Sequence, residues 1–302
     1  MKKTILTILT YIMVFINLQA IAQTKTELKQ LRSKILSEFN SQKGDFGFCL
    51  INLNSGKKLS INADEHFHAA STMKTPVMIE VFKRVKEKRI SLQDSIVIKN
   101  EFKSIVDGSK YSLDSSSDSY SEIYKHLGEK YTLYDLVYHM IINSSNLATN
   151  IIIDLMDAKA ITKTMRDWGA KDILVLRGVE DQKAYDAGLN NITTAHDLAL
   201  IFKKIATGKA VDPASSEEMI KILLDQMHNS IIPAKLPHNV KVAHKTGSIT
   251  GVQHDSGIVF LPDGNKYVLV ILSKNLVDEK ASVEAMARVS AMVYSLISGN
   301  SK

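Results

Sequence analysis

The chain has 302 residues, of which 45% are apolar and 23% charged, with 14 Gly and 5 Pro; that composition supports a sizeable core and excludes a fibre or a disordered tail. Its formal charge of +6 comes from basic residues scattered among acids, so a nucleic-acid partner is not implied. The single Cys49 excludes an internal disulfide, and within the apolar run Phe46-Gly47-Phe48-Cys49-Leu50 it reads as a buried strand residue rather than a nucleophile.

The chain opens on Met1-Lys2-Lys3, an apolar run from Ile5 to Ile16 and the small-x-small segment Ala20-Ile21-Ala22. This is the form of an export signal over residues 1–22, cleaved before Gln23. The run falls short of the roughly 20 apolar residues a membrane span needs. The mature protein is therefore expected to be exported, periplasmic or secreted, free of the membrane and monomeric. Leu28, Leu31, Ile35, Leu36 and Phe39 repeat at helical spacing over 26–40. Two strand-like runs, 45–53 and 58–61, are joined by the hairpin residues Asn54-Ser55-Gly56. From 72 to 220 the chain reads mostly helical, with Thr132 and Asp135 as a capping signal. The segment 112–121, rich in serine, reads as a solvated loop. After Pro237 strands return at 240–243, 257–261 and 267–272, and a helix over 278–297 closes the chain. Strands at both ends imply one sheet built by the two termini, with the helical block inserted between them.

Three polar motifs punctuate this pattern. Ser71-Thr72-Met73-Lys74 puts a hydroxyl and an amine on one face of a helix start, where amide groups favour a developing oxyanion and a neutral lysine can take the serine proton. Pro76 suits a helix's first turn. Ser144-Ser145-Asn146 lies between two helical patterns and on its own is compatible with a plain cap. Lys245-Thr246-Gly247-Ser248 ends a strand-like run; Gly247 would let a substrate lie close, while Lys245 and the hydroxyls would hold a carboxylate. The 9 histidines show no His-x-x-x-His or His-Glu-x-x-His spacing, so no metal is expected, and no cofactor motif occurs.

With these motifs in this order the chain resembles the penicillin-recognising serine enzymes, and among them the class A β-lactamases. The likeness spans nearly the whole mature chain and includes Leu147-Ala148-Thr149-Asn150 after the second motif and His244 before the third, although Ser145 stands where the family has an aspartate. The resemblance implies an α/β fold: a three-layer sandwich with a five-stranded antiparallel sheet, over 23–70 and 233–302, plus an all-helical domain over 71–232. It assigns Ser71 as nucleophile, Lys74 as its proton partner, Ser144 as proton shuttle and Asn146 as an amide ligand. Lys245 and Thr246 become the carboxylate grip, beside Gly247, and the amides of Ser71 and Ser248 the oxyanion site. Glu180 is the candidate base for deacylation. The leucine-asparagine pair that usually follows it is replaced by Lys183-Ala184, with Asn190 as a possible substitute amide. His254 stands where many members carry an arginine that helps bind the substrate carboxylate, a role left to His254 or to Lys245 alone, and Tyr111, Tyr120 and Tyr124 are candidates to border the cleft. A serine β-lactamase acting on small β-lactams ranks first. A D-alanyl-D-alanine peptidase-like acyl hydrolase, acting on acyl-D-alanyl substrates, ranks second, and a non-catalytic penicillin-binding protein third.

Overall fold

The computed structural model describes residues 26–299; the export signal expected at 1–22 lies outside them. Helix α1 (26–40) buries Leu31, Ile35 and Phe39. The main sheet contains β1 (Asp45–Asn52), β2 (Lys58–Ile61), β3 (Lys241–Ile249), β4 (Val252–Phe260) and β5 (Lys266–Lys274). Their spatial order is β2-β1-β5-β4-β3, every pair antiparallel. The chain thus makes two strands, inserts a long helical segment, and returns to complete the sheet.

The remaining helices are α2 (Lys74–Lys86), α3 (Leu133–Ile142), α4 (Asn146–Met156), α5 (Ala158–Asp167), α6 (Gln182–Asp186), α7 (Ala195–Ala206), α8 (Pro213–Leu224) and α9 (Glu279–Ile297). Side-chain alternation along the strands divides the apolar residues into two cores. Phe48, Leu50, Leu269 and Ile271 pack with Ile35 of α1 and Met286 and Val289 of α9. Cys49, Ile51, Val268 and Val270 face the other way and join the core of the helical segment. Both faces of the sheet are covered, which is why β1 reads as an unbroken apolar run. No helix among the described residues is long and apolar enough to cross a membrane.

Local signals hold where they are chemical. Thr132 Oγ1 accepts from the Asp135 amide at 3.0 Å and the Asp135 carboxylate accepts from the Thr132 amide at 3.3 Å, closing the capping box of α3. Short ladders pairing 67–68 with 192–193, 95–97 with 130–132 and 102–103 with 110–111 interrupt the segment read as mostly helical. Strands of two or three residues are too short to show a period-2 pattern. Helix α2 carries Val77, Met78, Ile79 and Val81, all 0% exposed. From Lys74 to Phe82 the helix is buried on every side, because this half runs through the helical core, and its front end is therefore rigidly placed.

Candidate active site

Ser71 lies in a 3₁₀ turn, Ala70–Met73, that leads directly into α2, where Lys74 is the first residue and Pro76 the third. This turn rests on β3. A Cβ built on Gly247 would lie 3.1 Å from the amide nitrogens of both Ser71 and Thr72. The absence of a side chain at Gly247 thus lets the turn that bears Ser71 lie against the strand. Ser71, Ser144, Asn146, Glu180, Thr246, Gly247 and Ser248 all line one cavity of about 570 Å³. Lys74 and Lys245 are 0% exposed.

Lys74 Nζ lies 2.6 Å from the Ser144 carbonyl oxygen, 3.3 Å from Ser144 Oγ and 2.9 Å from Asn146 Oδ1. Lys245 Nζ reaches the same Ser144 Oγ at 3.0 Å and the Thr246 carbonyl at 2.9 Å. One hydroxyl thus sits between two buried amines. Burial pulls the Lys74 amine down to about 7, against the opposing pull of Asp118 and Glu180. The same burial, followed by the charge of Lys74, pushes Lys245 well below the usual lysine range. Two ammonium ions facing each other in a dry site disfavour one another, so the pair favours a single proton; when Lys245 holds it, Lys74 has a free lone pair beside Ser144. Ser144 itself has a φ of +62°, a conformation that costs of order 1–3 kcal/mol for a residue with a side chain and persists only when its surroundings impose it. Behind Lys245, His244 Nδ1 and Asp255 Oδ1 form a buried pair at 2.8 Å.

Glu180 also has a positive φ, +61°, and is exposed at the cavity mouth. Its Oε1 accepts from Asn146 Nδ2 at 2.8 Å and from Ser117 Oγ at 3.4 Å, so Asn146 joins Lys74 to Glu180. The residue before it is clamped. Asn150 Oδ1 accepts from the Val179 amide at 2.7 Å, and Asn150 Nδ2 donates to the Val179 carbonyl at 3.0 Å. Gly178 makes room for this clamp, since a Cβ there would lie 2.5 Å from Asn150 Oδ1. Asn191 closes the neck of the loop, accepting from the amides of Leu176 and Arg177 and donating to the Arg177 carbonyl. Asn190 does not serve Glu180; its Oδ1 is held by Arg177 Nη2 at 3.1 Å. Of the pair at 183–184, Lys183 binds Asp107 and Ser109 and Ala184 is buried.

Three further expectations are corrected. His254 is not a carboxylate grip: it is 0% exposed, burial lowers it to about 4, and the neutral ring donates from Nε2 to the His68 carbonyl at 2.8 Å while Nδ1 accepts from the Ser273 amide. Tyr111, Tyr120 and Tyr124 do not border the cavity. Tyr111 braces the loop through Val179 and Asn150, Tyr120 stacks on His139 at 4.2 Å, and Tyr124 donates to Asp118. The segment 112–121 is no solvated loop throughout, because it brings Ser117 and Ser119 to the cavity and buries Asp118 beneath α4. On the opposite wall Gln253 Nε2 donates to Ser248 Oγ at 2.8 Å and to Glu279 at 2.9 Å. That leaves the Ser248 hydroxyl hydrogen free to point into the cavity, a contribution from Gln253 that no local motif announced.

A five-stranded antiparallel sheet packed against a helical body, with a serine at the helix entering the cleft between them, defines the β-lactamase/transpeptidase-like fold. The structure of PBP-A has this fold, with a TM-score of 0.76 and 28% identity over 89% of this chain and 96% of that one. A β-lactamase of Sphaerobacter thermophilus also matches, at 0.76 and 26% over 90% and 98%. The model of the β-lactamase enzyme family matches residues 29–297, and the chain belongs to that family. Its relatives are distant. A β-lactamase of Bacteroides uniformis is 24% identical over 89% of this chain and 91% of the relative. Beta-lactamase VEB-1 of Pseudomonas aeruginosa is 23% identical over 89% of each.

Proposed function

We propose that this protein hydrolyses β-lactams through an acyl-enzyme on Ser71, as a class A-like serine β-lactamase with no cofactor. The observation that carries the reading is Ser144 Oγ, set between Lys74 Nζ and Lys245 Nζ at 3.3 and 3.0 Å beside the cavity that Ser71 lines. Neutral Lys74 takes the Ser71 proton as Oγ attacks the lactam carbonyl, and the amides of Ser71 and Ser248 receive the oxyanion. The C–N bond then breaks. Ser144 gives its proton to the leaving nitrogen and regains one from Lys74. Lys245, with Thr246 and Ser248, holds the substrate carboxylate. Glu180 completes the cycle by taking a proton from the water that attacks the ester, and Ser71 leaves with its proton restored. An exported protein, its signal removed, would meet such substrates outside the cytoplasm.

The peptidase-like alternative is favoured by one specific observation. Asn150 grips Val179, an apolar residue, at the back of the loop, whereas Glu180 is exposed and bonded to Asn146 rather than to Lys74. A carboxylate so placed activates water only if it swings inward once substrate displaces it from Asn146.

Intact mass after mixing with a penicillin tests both readings. Wild type is expected to return to free protein, Glu180→Gln to remain acylated because general-base help worth ~10²–10⁴-fold is gone, and Ser71→Ala never to be labelled. A wild type that stays acylated makes this a penicillin-binding peptidase. Clearance of Glu180→Gln at the wild-type rate removes Glu180 from the mechanism.

A further inference from the structure

Asp118 is 7% exposed and has no Lys, Arg or His ion-pair partner among the described residues. Its carboxylate is held by donors alone. Oδ2 accepts from the amides of Asn146 and Leu147, both at 2.9 Å, from Tyr124 OH at 3.0 Å and from Ser145 Oγ at 3.4 Å. Oδ1 accepts from the Tyr120 amide at 3.0 Å. Asn146 and Leu147 are the first two residues of α4, and their amides would otherwise have no partner. A buried anion at a helix start is stabilised by that end of the helix. Here it also grips the residue that follows the Ser144-Ser145 turn, where the backbone is strained.

We propose that Asp118 is a positioning residue of the acyl-transfer site, a carboxylate delivered from the 112–121 segment that fixes the Ser144–Asn146 turn and sets the charge balance around Lys74. It acts through two groups. The turn supplies the Ser144 carbonyl, the Ser144 hydroxyl and the Asn146 amide oxygen that surround Lys74 Nζ, so loosening α4's first turn disperses all three. The charges that face Lys74 are Asp118 from this segment, Glu180 from the loop after α5, and Lys245 from β3. Asp118 and Glu180 both favour the protonated amine, and Lys245 opposes them. Ser145, at the position where the sequence departs from the resembled family, caps α4 through Ala148 and leaves the carboxylate's place to Asp118.

This inference rests on the acyl-serine reading of Ser71, Lys74 and Ser144. Its test is Asp118→Asn, which keeps the shape and removes the charge, read as the rate of penicillin acylation against pH with circular dichroism as the check on folding. The plateau rate is expected to fall about tenfold, and the acidic limb to move down by roughly one pH unit because the amine loses an anion that favoured its charged form. A merely structural part would lower the rate and leave the limb in place, and that result overturns the proposal, as does an unchanged rate. If Asp118→Asn does not fold, Ser145→Asp combined with it returns a carboxylate to the start of α4; recovery of fold and acylation supports the proposal, and failure to recover either overturns it. A wild type that no penicillin acylates removes the acyl-serine reading and this inference with it, whereas an acylated wild type with an indistinguishable Asp118→Asn removes this inference alone.

Discussion

Replacing Gly247 by alanine should slow the nucleophile without changing any side chain that transfers a proton. The added methyl would meet the Ser71 and Thr72 amides at 3.1 Å and Ala70 Cβ at 3.2 Å. Contacts of that length are relieved only if a neighbour retreats by a few tenths of an ångström. None of the three can rotate aside, because two are backbone and the third is the methyl of a residue already held at a φ of +43°. The turn itself must therefore move away from β3. Overpacking of this kind costs about 1–3 kcal/mol, equivalent to roughly 2–4 °C of melting temperature per kcal/mol in a protein of this size. A displacement of about 1 Å in a reacting group costs on the order of 10²-fold in rate, so a shift of a few tenths should cost about tenfold. The assay is rapid-quench mass spectrometry of penicillin acylation beside a thermal melt. If the alanine variant melts and acylates like wild type, the closeness of β3 to the Ser71 turn is not what Gly247 is for.

With neutral Lys74 as base and its amine near 7, acylation should accelerate as pH rises through about 7 and fall below it, where the amine is already protonated; a flat profile from stopped-flow measurements contradicts the assignment. Lys245→Ala should lose at least ~1.5 kcal/mol of transition-state stabilisation, the low end for a charge-assisted hydrogen bond, read from kcat/KM, and an unchanged value would mean the carboxylate is held elsewhere. Asn150→Ala strips partners from both the amide and the carbonyl of Val179 and should cost about 1–3 kcal/mol in urea unfolding, with faster hydrogen exchange confined to the loop around Glu180; unaltered exchange there would show the clamp to be dispensable.

The residues that face one another at the centre of the site were readable because each lies in a short motif with its own local logic. Ser71 and Lys74 are one helical turn apart, Ser144 precedes a cap, and Lys245 follows an apolar strand run, although the strand continues past it to Ile249. Strands β1 and β5 were readable because burial on both faces leaves long apolar runs, whereas β3 was legible only at 240–243 and β4 only at 257–261, because the rest of each, 244–249 and 252–256, is largely polar. What escaped depends on pairings remote in sequence. Asp118 is one acid among serines, and nothing near it signals that Asn146 and Leu147 will collect on its carboxylate. The surroundings of Glu180 are set by Asn146, Asn150 and Ser117, three separate places in the chain. His254 was misread because its position on β4 is right for a cavity residue, but its ring turns inward to the His68 carbonyl.

The position of β5 bears on when this site comes into being. It lies between β1 and β4, yet among the described residues it is the last strand of the sheet to be made. Until residues 266–274 emerge, the β1–β2 hairpin has an open edge and the β3–β4 pair lacks the strand that joins it to β1, so the face that brings Lys245 and Gly247 to Ser71 is not yet braced. Contacts that wait on such distant partners form slowly. A nascent or truncated chain that stops short of residue 266 would carry Ser71, Lys74 and Ser144 without the braced strand that faces them, and its chemistry should remain silent until 266–274 are in place.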